Sequence, residues 1–168
     1  MIFQTFPQKQ FQGKYCLSPF VMIEVTVSGD VRMCGCGGWM PTTIGNLQET
    51  TLENMLQSPL ATEIRQSIID GSYVYCNANT CGVIANNGLS TIDTVPPNVK
   101  SLLDDATKFE MPHHISFQGD LTCNLSCPSC RTHVIKPAKE QKQEQLRIGK
   151  LVSDNLFSKP SNNKIKLE

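Results

Sequence analysis

The sequence has no charge of one sign to spare: fifteen basic residues stand against fifteen acidic ones, for a formal net charge of zero. General nucleic-acid and anionic-membrane binders neutralise phosphates with a basic surplus, so this balance argues against both classes. Long apolar runs are also missing. Nothing approaches the roughly 18 consecutive apolar residues that read as a membrane span. The opening MIFQTFPQKQFQGK breaks at Pro7 before any continuous apolar stretch, so no secretory signal is expected in it. Internal repeats and low-complexity tracts are absent as well. Against these absences stand eight cysteines in 168 residues. With no secretory signal the expected compartment is the reducing cytoplasm, where structural disulfides rarely persist. The cysteines therefore read as thiols kept for metal, zinc or iron–sulfur, rather than as a disulfide framework.

Length suits one domain or two small ones. Residues 21–27 alternate, with Val21, Ile23, Val25 and Val27 on one side and Met22, Glu24 and Thr26 on the other, which predicts a half-buried strand. Ser28-Gly29-Asp30 supplies a turn, and residues 31–34 read as the returning strand of a hairpin. Gly35-Cys36-Gly37-Gly38 is too glycine-rich for regular structure and suits close approach of backbone to a bulky ligand. Thr50 and Glu53 form a capping-box pair ahead of Leu52, Met55 and Leu56. Ser58 caps a second helix with Pro59 at its first position; Leu60, Ile64 and Ile68 share one face, and Gly71 stops it.

Residues 86–98 turn polar, with a glycine and a Pro-Pro pair, and read as a linker. A short helix capped by Asn98 is expected over 99–107, and a strand over 114–122. Residues 138–157 predict an amphipathic helix whose seam is Ile148, Leu151, Val152, Asn155 and Leu156. An alternating stretch begins again at Lys164. Strand, helix, strand is a βαβ unit with parallel strands.

Two cysteine sets carry the chemistry. Cys123, Cys127 and Cys130, spaced C-x3-C-x2-C, follow the expected strand directly. Three thiolates on one loop can hold three irons of a cubane cluster and leave the fourth open, the mark of a reactive rather than a structural site. With His133 the same three form a zinc donor set of three thiolates and one imidazole. This loop resembles the cluster loop of radical S-adenosylmethionine (radical SAM) enzymes, including its Cys-Asn-Leu start and its place after the first strand of a βα barrel. The resemblance implies a 4Fe–4S cluster whose open iron binds SAM, and reductive cleavage of SAM to a 5′-deoxyadenosyl radical. Ser129 stands where that family commonly has an aromatic residue near the adenine.

The first set is dispersed: Cys16-Leu17-Ser18-Pro19, the hairpin with Gly29-Asp30 in its turn and Cys34 at its end, Ile44-Gly45-Asn46, and Cys76 with Cys81. This order is similar to a short SPASM-type auxiliary cluster domain. The resemblance implies four ligands, Cys16, Cys34, Cys76 and Cys81, with Cys36 the spare that would replace Cys34 in a tighter loop. A structural zinc on the same four thiolates is the alternative.

Together the two resemblances imply an α+β fold: a small SPASM-like hairpin-plus-helices domain over 1–85, a linker and short helix over 86–112, and the first βαβ unit of a partial radical SAM (β/α) barrel over 113–168. SPASM domains usually follow the barrel; here the order is reversed. The implied protein binds two 4Fe–4S clusters and SAM and starts radical chemistry, with catalysis uncertain because the barrel is incomplete in this chain. Implied partners are a chain completing the barrel and a reductant such as a flavodoxin or ferredoxin, with no nucleic acid and no membrane. An iron–sulfur electron-transfer or assembly module without catalysis and a zinc-stabilised binding module are the alternatives. No catalytic side chain is identified.

Overall fold

Residues 11–109, 111–119, 136–157 and 166–167 are described by the computed structural model. The chain enters through β1 (Lys14–Tyr15) and a one-turn helix α1 (Ser18–Val21), where Pro19 presets a helical backbone in the first turn. The expected strand over 21–27 is therefore shorter: β2 covers Met22–Val25, and its hairpin mate β3 covers Asp30–Arg32, ending before Cys34. The turn between them closes through Gly29 N–H to Thr26 C=O and Thr26 N–H to Asp30 C=O, at 2.9 and 3.0 Å. A third strand, β4 (Gly45–Asn46), pairs antiparallel with β3. Asn46 Nδ2 reaches back to Ser28 C=O at 3.0 Å and Asp30 Oδ1 at 2.9 Å, so this side chain fixes the hairpin turn from the neighbouring strand.

Both faces of β2 are covered, against the half-buried expectation. Ile23 and Val25 are buried on one side, and Glu24 on the other is 0% exposed. Its carboxylate accepts from Arg32 Nη1 at 3.2 Å and Gln118 Nε2 at 2.5 Å, which compensates the burial of the charge. The glycine-rich loop lies on this polar face. A Cβ on Gly37 would stand 3.1 Å from both the Arg32 guanidinium and Glu24 Oε2. Close approach at Gly37 is thus to the protein's own sheet.

Two helices follow, α2 (Leu52–Leu56) and α3 (Pro59–Ile69). The cap of α2 is Thr51 rather than the expected Thr50: its side chain accepts from Asn54 N–H at 3.3 Å, while the Thr50 hydroxyl accepts from Asn54 Nδ2. Ser58 caps α3 as expected, accepting from Ala61 N–H at 3.2 Å. Ala61, Ile64 and Ile68 form its fully buried stripe, with Leu60 at the margin. Gly71 follows at φ +77°, and a Cβ there would meet the backbone at Gln12 N at 2.8 Å, so only glycine fits.

The polar segment 86–98 is pinned down. After α4 (Gly82–Ala85), strand β5 (Ser90–Thr91) pairs antiparallel with β1, Tyr15 opposite Ser90. Helix α5 (Pro97–Leu103) starts one residue before the expected Asn98 cap, on Pro96, with no side-chain cap. Strand β6 (His114–Phe117), helix α6 (Lys139–Phe157) and strand β7 (Lys166–Leu167) form the parallel βαβ unit, Ile115 opposite Leu167. β6 also pairs parallel with β2, Ile23 opposite Ile115, so one five-stranded sheet runs β4-β3-β2-β6-β7. On its Ile23 and Val25 side lie Val152 and Leu156 of α6 together with Leu47 and Leu52. Ile148 is fully buried in the same core. Asn155, the polar member of the seam, accepts from Leu52 N–H at 3.0 Å at the start of α2. The fold is α+β, and one sheet and core join the segment bearing Cys16, Cys34, Cys76 and Cys81 to the β6-α6-β7 unit. Among the described residues no helix is long and apolar enough to cross a membrane.

Candidate metal centre

Four of the described cysteines are carried to one place by separate elements. Cys16 follows β1, Cys34 lies two residues beyond β3, and Cys76 and Cys81 bracket the loop between α3 and α4. That loop is shaped by Cys76 N–H to Tyr73 C=O and Cys81 N–H to Asn77 C=O, both 2.9 Å. It is fastened to the loop after Cys34 by Asn77 N–H to Trp39 C=O at 2.7 Å, and by the Thr80 hydroxyl to Gly38 C=O. All four cysteines line one cavity whose other walls include Pro19, Met40, Ile84 and Leu89. Its most exposed lining residues are the apolar Trp39 and Val83. Cys36 is half-buried in the glycine-rich loop and is not part of that lining.

All five described cysteines are free thiols. Burial pushes the Cys16 thiol up, partly offset by hydrogen bonds from Ser18. Cys34 is pushed up to about 11, first by burial and then by nearby Cys16, with the Cys36 and Gly35 amides pulling the other way. Cys76 is raised further, by burial first and then by Cys16, Cys34 and Cys81. Such thiols are poor nucleophiles at neutral pH, because the thiolate is the reactive form. Ionising them together in an apolar cavity requires a cation, and soft metal centres supply one while displacing the protons. Among the described residues no group of three or more His, Cys, Asp or Glu side chains is gathered for a single metal ion. The thiols surround a shared cavity instead. A multi-iron group fits this setting on two grounds: an all-sulfur donor set, and Tyr73, a residue lining the same cavity whose buried hydroxyl has no hydrogen-bond partner.

Residues 16–82 match the SPASM family, an iron–sulfur cluster-binding domain. The match implies iron–sulfur binding by this segment and takes in Cys16, Cys34, Cys36, Cys76 and Cys81. No curated protein and no solved structure matches the chain. The SPASM segment starts at the first cavity cysteine and ends one residue after the last, so it spans the whole cavity wall of sulfur. Cys123, Cys127, Cys130 and His133 fall outside both the SPASM segment and the described residues.

Tyr73 is a cavity residue the sequence does not announce. It sits at φ +49°, an uncommon backbone for a bulky residue, and only the three-dimensional arrangement brings its ring beside the sulfurs. Its place two residues after Gly71 is the one available hint, since the chain must reverse there.

Proposed function

We propose that the SPASM segment holds a 4Fe–4S cluster through Cys16, Cys34, Cys76 and Cys81, and that Cys123, Cys127 and Cys130 hold a second one. In this reading the chain is part of a radical SAM/SPASM protein acting in the cytoplasm with a flavodoxin or ferredoxin as reductant. The observation that carries it is the convergence of four sequence-distant thiols on one apolar cavity, from which Cys36 is absent. Bound there, the four-thiolate cluster supplies one-electron transfer, and its three-thiolate counterpart supplies an open iron for SAM. The chain's own part is to bind and to exclude water. Pro19, Met40, Ile84 and Leu89 keep the cavity wall apolar, and the amides of Gly35 and Cys36 hydrogen-bond to the Cys34 sulfur. Hydrogen bonds to the sulfurs and solvent exclusion are two of the properties that set a cluster's potential.

The test is reconstitution under argon, with iron, sulfide and zinc counted per chain. About eight irons are expected from two 4Fe–4S clusters. Replacing Cys123, Cys127 and Cys130 together by Ala should remove half of them and abolish 5′-deoxyadenosine formation from SAM and dithionite. Protein that holds zinc and takes up no iron overturns the reading in favour of a zinc-stabilised module. Full loading without SAM binding leaves the electron-transfer module as the function.

A further inference from the structure

Tyr73, a residue lining the cavity, carries a buried hydroxyl with an unmet hydrogen bond. Tyr73 is 0% exposed, and its Oη has no hydrogen-bond partner. A buried hydroxyl left unpaired is costly, and native structures rarely leave one without a reason. The residue is also held firmly. Its N–H donates to Ser67 C=O at 2.9 Å, its C=O accepts from Cys76 N–H at 2.9 Å, and its ring meets Phe11 edge-on with centroids 5.0 Å apart. The backbone adopts φ +49°, a strained region for a non-glycine residue, which indicates that surrounding structure fixes the ring here. Tyr73 is one of the residues lining the same cavity as the four thiols. By contrast Tyr75, two residues on, donates to Glu63 Oε2 at 2.8 Å and does not line the cavity.

We propose that the Tyr73 hydroxyl donates a hydrogen bond to a sulfur of the iron–sulfur group bound by the SPASM segment, and thereby raises its reduction potential. This rests on the cluster reading above. The direction follows from charge. Reduction adds negative charge to the cluster, and a donor aimed at its sulfur stabilises the more negative state more than the oxidised one. In a dry cavity that difference is not diluted by water.

The experiment uses the full chain with Cys123, Cys127 and Cys130 replaced by Ala, so that the one remaining cluster gives the signal. Its potential is measured by redox titration followed by electron paramagnetic resonance, with iron and sulfide counted in each variant. Tyr73→Phe keeps the ring and removes the donor. It should load fully and shift the reduction equilibrium about tenfold toward the oxidised form, which is about 59 mV lower for a one-electron couple. Tyr73→3-fluorotyrosine, a stronger donor of the same shape, should move the potential upward. Tyr75→Phe should leave it where it was. A Tyr73→Phe protein that loads fully at an unchanged potential overturns the proposal. If that variant loads poorly, an unchanged potential in the fluorotyrosine protein overturns it equally. A parent chain that takes up no iron removes the cluster reading, and this inference with it.

Discussion

Replacing Ile148 by Ala tests whether the C-terminal helix and the cysteine-bearing segment form one cooperative unit. Ile148 is 0% exposed on α6, and a Cβ on Gly29, in the hairpin turn, would stand 3.2 Å from its Cδ1. Truncating a fully buried isoleucine removes its transfer free energy and leaves a cavity, typically about 2–5 kcal/mol. Ile148 belongs to the same buried core as Ile23, Val25, Val152 and Leu156, and a mid-range cost of about 3 kcal/mol is expected. Set against a typical stability of about 5–15 kcal/mol, that is a large fraction. It corresponds to a midpoint lower by roughly 6–12 °C for a chain of this length. The assay reads two signals in one thermal melt under argon. Trp39, the sole tryptophan, lines the cysteine cavity and reports on it by fluorescence; far-ultraviolet circular dichroism follows the helices. Both should move down together. Leu146→Ala, at a position 75% exposed on the same helix, should change stability by no more than about 0.5 kcal/mol. If Trp39 melts at the parent temperature in Ile148→Ala while the helical signal falls early, the shared core is not the cooperative unit and the reasoning fails.

Two further predictions concern the SPASM segment. Cys34→Ala should cost most of the cavity's iron while Cys36→Ala retains it, because only Cys34 lines the cavity; equal losses in an iron assay would show that the ligand set is wrong. Asp30 is held below the ordinary carboxylate range, first by the Ser28 hydroxyl at 2.7 Å and also by Asn46 Nδ2. A lowered folded-state pKa gives stability that is present above the unfolded value of about 4 and is lost as pH falls through the lowered one. Asp30→Asn should therefore flatten the loss of stability below about pH 4, as followed by urea unfolding across pH, and an unchanged acid slope would contradict it.

Much of this was legible in residues whose message is local. Ser58 and Pro59 specify a helix start through one side-chain acceptor and one fixed dihedral, and α3 begins there. The seam on α6 shows in the sequence because its period is that of the helix itself. Cys16, Cys34, Cys76 and Cys81, singled out by their order with the Gly-Asp turn and Ile-Gly-Asn, line one cavity. What was illegible depends on partners far along the chain. Glu24 reads as the polar side of a half-buried strand, yet Gln118 and the 35–38 loop bury it. Polarity in 86–98 suggests a free tether, but polarity does not show that Ser90 and Thr91 pair with β1. Val21 continues a strand pattern by composition and is taken into α1 by Pro19 two residues earlier. Tyr73 carries no sequence signal of its unpaired hydroxyl.

The pairing of β2 with β6 also dictates an order of events during synthesis. Met22 leaves the ribosome well before its neighbour in the sheet, His114. At about 5–20 residues per second, the interval between them is on the order of ten seconds. During that time the hairpin of β2 and β3 can close locally, but one edge of β2 has no partner, and Cys16 and Cys34 wait for Cys76 and Cys81. Contacts between residues so distant in sequence are the slow ones to form. A nascent chain in this condition presents an open strand edge and oxidisable thiols together, both hazards for aggregation or misoxidation. Both hazards last until residue 117 has emerged and β6 can cover the open edge of β2.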